Sequence, residues 1–198
     1  MILKALGLEK ADELFDLIYK EEEELEGEDY DKIESHKQAI RNNPDDADAH
    51  YDLGVAYGEL GRYEEEIESY KQAIRIDPDD VDAHYNLGTT YGELGKFKEE
   101  IESYKHAIRI DPDFAMAHNN LGAAYGDSGK YEEAKESYKQ AIRLDPDFAM
   151  AHDNLGYAYY ELGKYKEAIE SCKQAIRLDP DDAMAHYNLG NAYGELGK

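Results

Sequence analysis

Five prolines punctuate this chain: Pro44, Pro78, Pro112, Pro146 and Pro180, each 34 residues after the one before. A fixed period of about 20–50 residues points to tandem structural repeats, each too small to bury a core alone. Counting from Ala47, the full units are 47–80, 81–114, 115–148 and 149–182, followed by a half unit, 183–198. The remainder, 1–46, holds a divergent unit ending at Pro44 with the tail Ile33-Glu34-Ser35-His36-Lys37-Gln38-Ala39-Ile40-Arg41. Within it, residues 12–25 carry Leu14, Phe15, Leu17, Ile18 and Leu25. That segment reads as a helix capping the first pair, since the ends of a repeat stack must be covered. Its acidic run Glu21 to Glu24 reads as a solvated face.

Each unit contains two helical patterns. In the first, helix A runs from about Ala47 to Leu60, with Asp45 or Asp46 as its N-cap. Helix B runs from about Tyr63 to Ile76, and Pro78 stops it. Leu53, Tyr57 and Leu60 in A, and Ile67, Tyr70, Ala73 and Ile74 in B, have the spacing of a buried helical stripe. The short loops make A and B antiparallel neighbours.

Glycine and alanine report how the helices meet. Gly54, Gly88, Gly122, Gly156 and Gly190 lie inside helix A, where glycine costs about 0.5–1 kcal/mol against alanine. Five repetitions imply a close approach of A to B, and Ala73, Ala107, Ala141 and Ala175 are small on B's side of that contact. Gly61, Gly95, Gly129, Gly163 and Gly197 are expected to close each helix A.

The composition excludes several classes. The net charge is −24, which argues against nucleic acid and against an anionic membrane surface. The hydrophobic content of 41% separates the chain from disordered acidic tails. No apolar run reaches the ~20 residues that span a bilayer, and the short apolar start at Met1 meets Glu9 too soon for a signal peptide. With Cys172 the single cysteine, no intrachain disulfide forms, and a reducing, cytoplasmic location fits.

No chemistry of catalysis or metal binding emerges. His50, His84, His118, His152 and His186 recur at the fourth slot, but equivalent residues of neighbouring units lie about a helix diameter apart, ~8–10 Å, too far to share one zinc ion. They read as packing residues, and Cys172 as a buried replacement for tyrosine. Asp-Pro-Asp turns such as Asp111-Pro112-Asp113 lack the glycine of a calcium loop and read as helix caps. Ser35, Ser69, Ser103, Ser137 and Ser171 repeat with the unit and have no fixed His-Asp partners. The expectation is a non-enzyme without catalytic residues, metal or cofactor.

The stretch Tyr85-Asn86-Leu87-Gly88-Thr89-Thr90-Tyr91-Gly92-Glu93-Leu94-Gly95-Lys96-Phe97 resembles the tetratricopeptide repeat: a large residue, Leu-Gly, an aromatic, a glycine turn and an aromatic. The resemblance is strong over 47–198 and weak over about 13–46. It implies an all-α, right-handed superhelical solenoid of antiparallel helix pairs, with A helices lining a concave groove that holds an extended protein or peptide segment. The departures are His at the fourth slot, Glu66 and Glu100 where later units have Ala134 and Ala168, and Cys172 in place of Tyr70, Tyr104 and Tyr138. The two units with glutamate are expected to pack less tightly.

On the groove face that the resemblance implies, Asn86, Asn120, Asn154 and Asn188 occupy the sixth slot. An amide offers donor and acceptor together, so a ladder of them suits a peptide backbone. Tyr51, Tyr85 and Tyr187 vary with Asn119 and Asp153 one slot earlier, and Met116, Met150 and Met184 start the later A helices. Gly58, Gly92, Gly126 and Gly194 stand where the family often has tyrosine, a slot filled here by Tyr160 beside Tyr157. The missing side chains are expected to deepen the groove in the first units. Tyr157, Tyr160, Met150 and Asn154 form the expected anchor. Glu59, Glu93, Asp127, Glu161 and Glu195 edge the groove, which favours a neutral or basic segment. The Lys and Arg that relatives use to clamp a terminal carboxylate are absent from those slots. Two alternatives remain: self-assembly through the last helix, which keeps Tyr187, Leu189, Tyr193 and Leu196, and a substrate-recruiting part of a larger enzyme.

Overall fold

The structure is a computed structural model and describes residues 27 and 29–197. The expected capping segment 12–25 lies outside the described residues. Among those described, every regular element is an α-helix. The chain divides into two compact units, Met1–Ile76 and Asp77–Lys198.

The first unit contains α1 (29–42), α2 (Ala47–Glu59) and α3 (Tyr63–Ile76). The second contains α4 (Val81–Glu93), α5 (Phe97–Ile110), α6 (Ala115–Asp127), α7 (Tyr131–Leu144), α8 (Ala149–Glu161), α9 (Tyr165–Leu178) and α10 (Ala183–Leu196). Even-numbered helices are the A helices of the sequence pattern, and α3, α5, α7 and α9 are the B helices.

The turn from A to B is built alike four times. The N–H of Gly61 donates to the Gly58 carbonyl at 2.9 Å and that of Arg62 to the Tyr57 carbonyl at 2.9 Å. These are the paired bonds of a Schellman motif, which needs a left-handed residue at the glycine. Gly61, Gly95, Gly129 and Gly163 supply it with φ of 64–74°. Gly197 differs from the expectation, with φ −83° in the right-handed region. Leu60 also departs from its expected place. Helix α2 ends at Glu59, so Leu60 caps the helix and is 38% exposed.

The turn into α2, α4 and α10 is held by two devices, and the turn into α6 and α8, which start at Phe114 and Phe148 without a side-chain cap, by the second alone. Asp46, Asp80 and Asp182 accept from backbone N–H groups of the first turn, Asp80 from Ala83 at 2.9 Å. The fourth-slot histidines then reach back. His50 Nε2 donates to the Pro44 carbonyl at 3.1 Å, His118 to Pro112 at 3.1 Å and His152 to Pro146 at 3.0 Å, with the same bond at His84 and His186. Proline removes a backbone donor from this turn but keeps its carbonyl, and the imidazole satisfies that carbonyl. This explains histidine at a slot where a purely apolar ring would leave the oxygen without a partner.

Within a pair, glycine lets the helices touch. A methyl group on Gly54 would stand 2.6 Å from the Tyr70 ring, one on Gly88 2.9 Å from Tyr104, and one on Gly122 2.6 Å from Tyr138. At Gly156 the neighbour is Cys172 Sγ at 2.5 Å. Within each unit the apolar core lies between a B-type helix and the next A helix. In the first unit, Ile33 of α1 packs with Leu53, Ala56 and Tyr57 of α2. In the second, Ile101 and Tyr104 meet Leu121 and Ala124, then Ala134 and Tyr138 meet Leu155 and Ala158, then Ala168 and Ile169 meet Ala192.

The two glutamate-bearing pairs are not left loose, contrary to expectation. Glu66 and Glu100 are buried, and their carboxyl groups fill the space above Gly58 and Gly92, 2.8 Å from where a Cβ would lie. The vacant tyrosine slot and the added glutamate therefore compensate one another, as Tyr160 and Ala168 do in the opposite sense. The groove is not deepened at these glycines. The arrangement has an electrostatic cost at Glu100, whose Oε2 is buried with no hydrogen-bond partner.

Candidate functional site

The sixth-slot asparagines of the second unit form a ladder that runs through the protein itself. Asn154 Nδ2 on α8 donates to Asn119 Oδ1 on α6 at 3.1 Å. Asn119 Nδ2 donates to Asn120 Oδ1 at 3.2 Å, and Asn120 Nδ2 donates to the Tyr85 hydroxyl on α4 at 2.8 Å. One step further, Asn188 Nδ2 on α10 donates to Asp153 Oδ1 and Oδ2 on α8 at 3.0 and 3.2 Å. Asn120, Asn154 and Asn188 thus each tie an A helix to the fifth slot of the A helix before it. The amide donors of Asn120, Asn154 and Asn188, expected to face a peptide, are engaged in struts between helices. Asn86 is half-buried on α4.

The fifth-slot rings differ in exposure. Tyr51 leans on Tyr70 with ring centroids 5.6 Å apart. Tyr85 packs between Tyr104 at 5.6 Å and Phe114 at 5.0 Å, and both tyrosines are half-buried. Tyr187 on α10 is 64% exposed. Met116, Met150 and Met184 are all exposed, Met184 by 60%.

A cleft of about 680 Å³ opens between α8, α10 and the turn that joins α9 to α10. It gathers Met150, Asn154, Tyr157, Met184, Tyr187 and Asn188 of the expected residues. It also gathers Ala149 and three carboxylates, Asp153, Asp179 and Asp182. Three of the four expected anchor residues meet there. The fourth does not: Tyr160 packs against Ala168, Ile169 and Ala192, with its ring 5.6 Å from Tyr165. Tyr157 and Tyr160 are three residues apart on a helix of 3.6 residues per turn, so they share only part of a face. Tyr157 sets its ring edge against Tyr131 at 6.3 Å, and burial with Glu161 nearby pushes its hydroxyl up to about 12. Met116, Tyr51, Tyr85 and Asn120 lie outside this cleft.

The carboxylates were legible only by comparing units slot by slot. Asp153 stands where α6 has Asn119, and Asp182 where the two preceding units have Phe114 and Phe148. Asp153 is 7% exposed, and burial raises its pKa against the bond from Asn188, with Asp182 adding repulsion. Cys172 is buried behind it, its thiol pushed up to about 12 by burial first and by Asp153 and Asp182 next. Among the described residues, no group of three or more His, Cys, Asp or Glu is arranged to hold a metal ion. Among the same residues, no helix is long and apolar enough to cross a membrane.

The TPR repeat family model matches the sequence in five overlapping stretches, 25–61, 56–95, 90–129, 125–163 and 156–197. Among solved structures, MamA is similar at 26% identity and a TM-score of 0.75, over 82% of this chain and 95% of that one. A MamA from Desulfovibrio magneticus RS-1 is similar at 22% identity and TM-score 0.73, over 86% and 96%. YrrB, described as a TPR protein with an unusual peptide-binding site, matches at 24% identity and TM-score 0.73, over 81% and 83%. The last two likenesses speak to the fold alone. No curated protein sequence matches. The all-α stack of glycine-seated helix pairs and the five matched stretches together establish that this chain belongs to the tetratricopeptide repeat family, whose solenoids serve in general as protein-interaction modules.

Proposed function

We propose that the protein is a non-enzymatic cytoplasmic scaffold that holds an extended, neutral or basic segment of another protein along its A helices. The α8–α10 cleft is its anchor. The observation that carries this reading is the joint exposure of Met150, Met184, Tyr157 and Tyr187 around one concavity. Exposed large apolar side chains gathered at one place mark interaction sites, methionines adapt to varied partners, and aromatic anchors dominate binding energy. A net charge of −24 supports the preference for neutral or basic segments, with affinity falling as salt rises.

The test is an array of extended 12-residue peptides of graded charge, probed with the full chain and with a Tyr157→Ala/Tyr187→Ala variant. Binding that favours neutral and basic peptides and is lost in the variant supports the reading. Equal binding by the variant, or a preference for acidic peptides, refutes it.

A further inference from the structure

The junctions of the second unit differ at two positions that face each other across successive A helices. The first junction has Tyr85 and Phe114, with rings 5.0 Å apart. The next has Asn119 and Phe148, and the last has Asp153 and Asp182. Two carboxylates thus replace an aromatic contact, and the α8–α10 cleft lies where they stand.

The charge on Asp153 serves no purpose within the ladder. Asn119 fills the same slot as a neutral acceptor and receives the same kind of bond, from Asn154 at 3.1 Å. Asp153 receives its bonds from the neutral amide of Asn188. A carboxylate that is 7% exposed and is matched by a neutral donor carries an uncompensated desolvation cost. Asp182 repels it, Asp179 adds a third negative charge to the lining, and no Lys or Arg lines the cleft. The charge has no cationic partner among the residues that line the cleft.

The surroundings select which cation. A small hard ion needs several oxygen ligands converging at about 2.0–2.6 Å, and the described carboxylates are not grouped for that. The walls are instead the thioethers of Met150 and Met184 and the rings of Tyr157 and Tyr187. A guanidinium suits this mixture. It is planar and weakly hydrated, stacks on aromatic faces, and pairs edge-on with carboxylates.

We propose that the α8–α10 cleft is a socket for one arginine side chain of a bound segment, with Asp153 and Asp182 pairing its guanidinium and the methionine and tyrosine walls enclosing its stem. This rests on the reading of the A-helix face as a peptide-binding surface.

The probe is acetyl-Gly-Arg-Gly-amide, with acetyl-Gly-Gln-Gly-amide as its neutral counterpart, titrated into the ¹⁵N-labelled full chain. The arginine peptide is expected to shift the amide signals of Met150, Asp153, Met184 and Asn188 saturably, at least about tenfold more tightly than the glutamine peptide, as expected for a desolvated charge pair. Asp153→Asn reproduces the Asn119–Asn154 pairing, so it keeps the ladder, and it is expected to weaken the arginine peptide about tenfold while leaving the glutamine peptide unchanged. Asp182→Ser, which retains an N-cap side chain, is the second variant and is expected to act in the same direction. Equal shifts from both peptides, no shifts at the cleft from either, or unaltered arginine affinity in both variants overturns the socket. The two readings fail separately. Array peptides that bind without arginine preference leave the scaffold and remove the socket. An arginine tripeptide that seats in the cleft while no extended peptide binds leaves the socket and removes the scaffold.

Discussion

Glu100→Gln is expected to stabilise the protein near neutral pH and to have little effect in acid. Glu100 is 7% exposed, and its carboxyl group lies over Gly92 and leaves Oε2 without a hydrogen-bond partner. Burial, with Asp127 adding repulsion, raises its pKa from 4.5 to about 7. A carboxylic acid with a raised folded pKa is held more tightly as the proton-bound form in the fold than in the unfolded chain. Folding is therefore unpenalised below pH 4.5 and loses stability as pH rises from 4.5 through 7. At about 1.36 kcal/mol per pKa unit, the penalty reaches about 3 kcal/mol above pH 7. Glutamine keeps the shape and removes the titration. Urea denaturation of wild type and Glu100→Gln at pH 4.5, 6 and 8 measures the difference. The gain is expected to be near zero at pH 4.5, intermediate at pH 6 and about 3 kcal/mol at pH 8. A gain that is flat with pH, or a less stable variant at pH 8, refutes the reasoning.

Three further outcomes follow from the packing. Gly88→Ala brings a methyl group to 2.9 Å from the Tyr104 ring and is expected to destabilise by about 1–3 kcal/mol, whereas Gly190→Ala, with open space around it, stabilises by about 0.5–1 kcal/mol. Thermal melts of both variants check the opposed signs. His118→Ala removes the bond to the Pro112 carbonyl at 3.1 Å and is expected to lower stability by about 1 kcal/mol, read from the same melts. Cys172 is buried with its thiol pushed up to about 12, so iodoacetamide at pH 8 should alkylate it only in denaturant, as followed by intact mass.

The parts of the fold that the sequence discloses are those repeated without change. Proline spacing marks the turns, the interior glycines mark where a tyrosine must seat, and Asp46 marks a cap. What single-unit reading misses is exchange between positions. Glu100 looks like a packing defect until Gly92 is seen beneath it, because the two residues trade volume across a helix pair. The asparagines look like free hydrogen-bonding groups until their partners 35 residues away are seen, since spacing gives the helix face but not the neighbour that a side chain chooses. Leu60 fits the apolar stripe yet caps its helix, because the Schellman turn begins one residue before the stripe ends. Of the site, the methionines and Tyr157 were legible from their face of the helix. Asp153 was legible as a variable groove position, but Asp182 beside it was not, because acidic residues are common in this chain and only its displacement of Phe sets it apart.

The placement of the core between pairs bears on how such a chain changes copy number. α5 meets Leu121 and Ala124, and α7 meets the same residue types, Leu155 and Ala158. Excision of 115–148 would bring Asn154 to the station of Asn120, opposite the Tyr85 hydroxyl, and would join two surfaces that already fit. Slippage of the gene by one whole period would therefore yield a shorter array with matching seams, whereas loss of a length that is not a multiple of 34 residues would leave the flanking helices out of phase.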